Sequence, residues 1–109
     1  MTENTDNFDI DQMFENAQNA ANFLKTMAHQ GRLMILCHLV NGEKTVTELE
    51  NLLSLRQAAI SQQLARLRAE GFVAYRREGK TIFYSMKDDK ALKLIDLLYN
   101  EFCKQDQSG

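Results

Sequence analysis

The 109-residue sequence contains no proline and no tryptophan, only five glycines and only two cysteines. It lacks any apolar run near the roughly 20 residues that a membrane-crossing helix requires. Its polar, acidic start lacks the basic-then-apolar pattern of a signal peptide. These absences lead us to expect a protein that works in the cytoplasm, away from membranes. Cys37 and Cys103 lie far apart and form no CxxC pair, so reduced thiols are expected, and any bond between them would be a regulated event. Because the sequence holds neither a glycine-rich cofactor loop nor a nucleophile-and-base constellation, no enzyme activity and no cofactor are expected.

Without a proline-rich linker, an internal repeat or a low-complexity tract, 109 residues fit one domain. A domain of this size buries only about two thirds of its surface, so surplus apolar helix faces call for a partner subunit. The net charge of −2 conceals a marked asymmetry. Between Ser54 and Lys80 the basic side chains Arg56, Arg66, Arg68, Arg76, Arg77 and Lys80 face only Glu70 and Glu78, a local +4 that leaves −6 elsewhere. Residues 1–20 carry Glu3, Asp6, Asp9, Asp11 and Glu15 with no Lys or Arg, a solvated segment that repels phosphate.

Along the chain, residues 1–8 read as a disordered acidic leader, residues 9–104 as the folded domain and 105–109 as a disordered tail. Apolar residues from Ile10 to Met27 recur at helical spacing. A break is expected near Gln30 and Gly31, followed by a second helix with the stripe Leu33, Leu36, Cys37 and Val40 that ends at Asn41 and Gly42. Thr47 and Glu50 have capping-box spacing for a short third helix. After Ser54 and Leu55 a fourth helix runs through Ile60, Leu64 and Leu67 to Gly71. Two helices with so tight a junction predict a helix-turn-helix, the second helix shaped for the major groove. Beyond Gly71 the period becomes two: Phe72–Arg77 and Thr81–Met86 flank Glu78, Gly79 and Lys80 as a β-hairpin, or wing. A last helix, capped by Asp88 and running to Phe102, has more apolar residues than one stripe can hold, so one face is assigned to its own subunit and another to a two-fold mate. The fold class is therefore mainly α with a β-hairpin, a winged helix-turn-helix dimeric through its terminal helices.

Projected at 100° per residue, the fourth helix buries Ile60, Leu64 and Leu67 and turns Ala58, Gln62, Ala65, Arg66 and Ala69 outward, with Ser61 at the flank. Small residues permit close approach to DNA and contact with thymine methyls, Gln pairs bidentately with adenine, and Arg pairs with guanine or phosphate. The expected interface comprises Arg56, Gln57, Ala58, Ser61, Gln62 and Arg66, with Gln57 and Gln62 reading base edges. Arg76, Arg77 and Lys80 near the wing tip would reach backbone or minor groove. The same residues also fit an ordinary solvated helix face, or a protein-interaction module built on the same fold.

The words MAHQGRLMIL, SLRQAAISQQLARLRAEGFV and RREGKTIFYSM, in this order and separation, resemble the ArsR/SmtB family of repressors over about residues 20–100. That resemblance implies a homodimer that binds an inverted-repeat operator in double-stranded DNA and releases it when an inducer binds. Many such repressors sense metal, but the family's metal box corresponds here to Lys44, Thr45, Val46, Thr47 and Glu48, without thiolate or imidazole. The last helix offers Asp88, Asp89, Asp96 and Glu101 but no His, so no metal is expected. Arg56 and Ala58 stand where the family commonly has Ser and Pro, which weakens the cap of the fourth helix. The remaining pair, Cys37 and Cys103, resembles the sulfide- and persulfide-responsive branch, in which the two thiols become joined by a bridge of several sulfur atoms. Read by themselves, both cysteines also fit inert packing residues. His29 reads as structural and His38 as a surface or interface residue. A metal-responsive repressor, a general thiol-oxidation sensor and a thiol redox enzyme are the competing readings.

Overall fold

The computed structural model describes residues 9–103, so the expected leader 1–8 and tail 105–109 lie outside the described residues. Helix α1 (Ile10–Met27) starts where Asp9 accepts the Gln12 N–H at 2.7 Å. Helix α2 (Gln30–Leu39) is capped by His29, whose Nδ1 accepts from the N–H groups of Gly31 and Arg32 at 3.1 and 3.3 Å. The break therefore lies at Ala28 and His29, earlier than the expected Gln30 and Gly31. The imidazole satisfies two otherwise orphaned donors, and this lets Gly31 enter the first turn.

Helix α3 (Val46–Leu53) opens on a capping box made by Thr45 and Glu48, not the expected Thr47 and Glu50. Thr45 N–H donates to Glu48 at 2.8 Å, and Glu48 N–H donates to Thr45 Oγ1 at 3.1 Å. Both pairs have the same spacing, but Lys44 exchanges main-chain hydrogen bonds with Tyr84, which keeps the backbone extended up to the cap. Ser54, in the left-handed region at φ +56°, turns the chain toward helix α4 (Gln57–Ala69). Strands β1 (Val73–Glu78) and β2 (Thr81–Met86) pair antiparallel from Val73↔Met86 to Glu78↔Thr81. The two-residue connection places Gly79 at φ +65°, a conformation that glycine adopts without a Cβ penalty. Phe72, expected within the strand, instead precedes it as a buried anchor stacked on Phe23 at 5.0 Å between ring centroids. Helix α5 (Asp89–Leu98) is capped by Asp88, as expected, and continues into a π-helical turn, Tyr99–Cys103.

Helix α2 lies at the centre. Its Ile35, Leu36 and Leu39 pack with Leu49 and Leu53 of α3, Ile60, Leu64 and Leu67 of α4, and Ala91 and Ile95 of α5. These residues form one core, closed by Met27, Phe72 and Val73. Because α4 and α5 rest on the same central helix, a shift at one has a packed route to the other. The outer faces of α1 and α5 remain apolar and exposed in the single chain, at Ile10, Met13, Phe14, Leu24 and Leu97.

Candidate nucleic-acid interface and dithiol

Burial of Ile60, Leu64 and Leu67 fixes the roll of α4, and the opposite face follows from helical geometry. Arg56, Gln57, Ala58, Ser61, Gln62 and Arg66 are all exposed, together with Ala65 and Ala69. Arg56 occupies the N-cap without a side-chain hydrogen bond, so the first-turn N–H groups lack a side-chain acceptor. Arg66 donates to Glu70 one turn on at 3.3 Å, an exposed pair weak enough to exchange for a phosphate. Two residues outside the expected interface set the helix in place. Arg32 of α2 donates to the Thr26 carbonyl and, through Nη1, to Gln63 of α4 at 3.0 Å. No helical or strand period relates residues 32 and 63, so the sequence carries no signal for that bond.

On the wing, Arg76, Arg77 and Lys80 are exposed, but Arg76 is held within the chain. Its Nη2 and Nε donate to Glu43 at 2.6 and 3.1 Å, its Nη1 donates to Glu78 at 3.0 Å, and the guanidinium lies 4.4 Å from the Phe83 ring centroid. The hydrogen bonds from Arg76 hold the Glu43 carboxyl below its ordinary pKa, and the same carboxylates hold the guanidinium more firmly protonated. Arg77 and Lys80 have no such clamp among the described residues. Arg68, counted in the basic segment but not in the expected interface, lies 4.2 Å over the Tyr75 ring and joins the end of α4 to β1.

Along α2, Cys37 and Cys103 line one cavity of about 770 Å³ between α2, α3 and the end of α5. Cys37 is half-buried and Cys103 exposed, and both are free thiols. Burial, then the proximity of Cys103, pushes the Cys37 thiol above its ordinary pKa. His38 lines the same cavity, while His29 spends its Nδ1 on capping α2. The π-helical turn carries Cys103, and the widened turn changes the direction in which α5 delivers that side chain.

A model of the bacterial regulatory proteins of the arsR family matches residues 29–75. A biofilm growth-associated repressor from Agrobacterium fabrum is 48% identical over 96 residues, covering 88% of this chain and 82% of the repressor. Reduced HlyU from Vibrio cholerae superimposes with a TM-score of 0.83 at 40% identity, over 87% of this chain and all of that one. The transcriptional repressor BigR from Xylella fastidiosa gives 0.79 at 45% identity, over 87% and 94%. The chain belongs to the ArsR family.

As an ArsR-family member it is a DNA-binding transcriptional regulator with a winged-helix fold, and not an enzyme. Among the described residues no helix is long and apolar enough to cross a membrane. In this ArsR chain the residues at the metal-box positions perform local structural tasks. Lys44 pairs with β2, and Thr45 and Glu48 cap α3. Asp88 caps α5, and Asp89 lies 3.8 Å from Lys93. Among the described residues no three His, Cys, Asp or Glu side chains are grouped closely enough to hold a metal ion.

Proposed function

We propose that this ArsR-family protein is a homodimeric operator-binding repressor that senses reactive sulfur through Cys37 and Cys103 and then releases DNA. The shared cavity of the two thiols carries this reading, because α2 and α5 bring together residues distant in sequence. Repression is supported by the repressors among the relatives, and thiol chemistry by a solved relative described as its reduced form. The exposed apolar faces of α1 and α5 supply the area for pairing two copies. DNA contact belongs to Arg56, Gln57, Ala58, Ser61, Gln62 and Arg66 of α4 and its cap, and to Arg76, Arg77 and Lys80 of the wing.

The chemistry balances with an organic persulfide, RSSH, as sulfur donor and oxidant. The Cys103 thiolate attacks the outer sulfur of RSSH, the donor S–S bond breaks, and RSH leaves Cys103–S–SH. A second RSSH converts Cys37 to its persulfide in the same way. The Cys103 persulfide anion then attacks the Cys37 sulfur and expels hydrosulfide, giving Cys37–S–S–S–Cys103. Two thiols and two RSSH thus yield the trisulfide, two RSH and one hydrogen sulfide. The bridge draws the end of α5 against α2, the element on which α4 rests, and shifts the two recognition helices of the dimer away from half-site spacing. A coupling of about 1–3 kcal/mol changes affinity roughly five- to 150-fold.

The test combines intact mass and operator affinity after exposure of the reduced protein to organic persulfide, to disulfide and to peroxide. A bridged mass with added sulfur and weakened binding is expected for persulfide alone. Unchanged affinity at complete modification, or full response by Cys103→Ser, overturns the reading. Equal response to peroxide replaces it with a general oxidation sensor.

A further inference from the structure

A sensor that exchanged sulfur only with hydrosulfide-sized species would need little more room than a water molecule, yet Cys37 and Cys103 share a cavity of about 770 Å³, within the range of small-molecule sites. The chemistry of the walls is as informative as their size. None of the lining residues is Asp, Glu, Lys or Arg. The lining is mainly apolar, with Leu33, Met34, Leu52, Leu53, Leu98 and Phe102 among its residues, and the polar members besides the thiols are the amides Gln30 and Asn41, two histidines and Tyr99. His29 is already occupied as the cap of α2. An anionic donor such as a peptide persulfide would bring carboxylates against walls that carry neither Lys nor Arg, and desolvated unpaired charge is strongly disfavoured. A hydrocarbon or aromatic body would instead replace water against apolar walls.

We infer that the cavity is a recognition site for the uncharged apolar body of an organic persulfide, and that it selects such donors over anionic ones before any sulfur is transferred. This rests on the dithiol reading and names the substrate class for it. The occupied cavity places the donor's outer sulfur beside Cys103, the exposed one of the two lining thiols. Attack there forms Cys103–S–SH, breaks the donor S–S bond and releases RSH, which takes up the proton. The released thiol must leave before the end of α5 can close on α2, so occupancy and bridging alternate. Leu52, a half-exposed lining residue outside the core cluster, is the position where a charge can be introduced without disturbing the core.

Benzyl persulfide and its para-carboxylate differ in charge and little else, which makes them the probes. Rates of sulfur incorporation into the full-length reduced protein are followed by quenched intact mass over a range of donor concentrations. The benzyl donor is expected to saturate and, at low concentration, to react at least tenfold faster than the carboxylate, whose rate stays linear. Benzyl methyl sulfide, which has no sulfur to transfer, is expected to compete with the benzyl donor alone. Leu52→Lys is expected to narrow or reverse the preference with both thiols intact. Equal linear rates for the two donors, or a preference untouched by Leu52→Lys in a folded variant, overturn selection by the cavity while leaving the dithiol reading standing. Failure of both donors to join Cys37 to Cys103 overturns the dithiol reading and the selection with it.

Discussion

Arg56 sits at the N-cap of α4, a position that favours Ser, Thr, Asp or Asn, and its side chain accepts no hydrogen bond there. Arg56→Ser should raise unfolding stability by about 1 kcal/mol by supplying the missing acceptor. The same substitution should weaken operator binding and lower the salt slope by about one phosphate contact. Denaturant melts and anisotropy titrations across a salt series measure the two effects, and a slope left unchanged would remove Arg56 from the interface. Glu43 presents the opposite case, an anion bonded to a wing arginine. Its folded pKa is depressed, so its contribution is complete above the ordinary glutamate range of about 4.3 and is lost as pH falls through the lowered value. Wing amide resonances should titrate in that acid window in the parent and not in Glu43→Gln. At neutral pH Glu43→Gln should tighten operator binding and steepen its salt slope, because a carboxylate that competes with phosphate has been removed. For Cys37 the sign is reversed. Burial disfavours its thiolate, so sulfur transfer from the persulfide to Cys37 should keep accelerating as pH rises past the ordinary thiol value of about 8.5. Quenched mass spectra of Cys103→Ser at several pH values report the transfer to Cys37 by itself.

At the scale of elements, α4 separates a buried face from the exposed face proposed to contact DNA. Leu64 is fully buried, and Leu64→Ala should cost about 2–5 kcal/mol of stability, visible as a lower denaturation midpoint. Gln62 is exposed, and Gln62→Ala should leave stability within about 0.5 kcal/mol. It should also reduce discrimination between operator and mismatched duplex by about 1–3 kcal/mol, as the loss of a bidentate base contact would. This division was legible in the sequence because a 3.6-residue period reports both faces at once. The start of α3 was less legible. Thr45 with Glu48 and Thr47 with Glu50 satisfy the same local rule, and a main-chain pairing between Lys44 and Tyr84, remote in sequence, decides between them.

For the whole molecule, the exposed Phe14 and Leu97 mark apolar faces on the two terminal helices. Phe14→Glu combined with Leu97→Glu should leave each chain folded, since neither residue belongs to the core. Sedimentation should then report a monomer, and operator affinity should drop by orders of magnitude because one half-site replaces two. A dimer that persisted with full affinity would place the interface elsewhere. Central α2 contacts both α4, the proposed recognition helix, and α5, which leads into the turn that carries Cys103, the arrangement a coupled response needs.

The sequence by itself determined the order of elements, the core stripe of α4, the hairpin and its basic tip, and the two thiols as the unusual residues. Each of those is written in local period, turn chemistry or composition. Only the tertiary structure decided that Arg76 is bonded to Glu43, that Arg32 pins α4 through Gln63, and that Cys37 and Cys103 open onto one cavity whose lining lacks Asp, Glu, Lys and Arg. These contacts join residues on different elements, and no periodic pattern along a chain encodes the packing that brings them together.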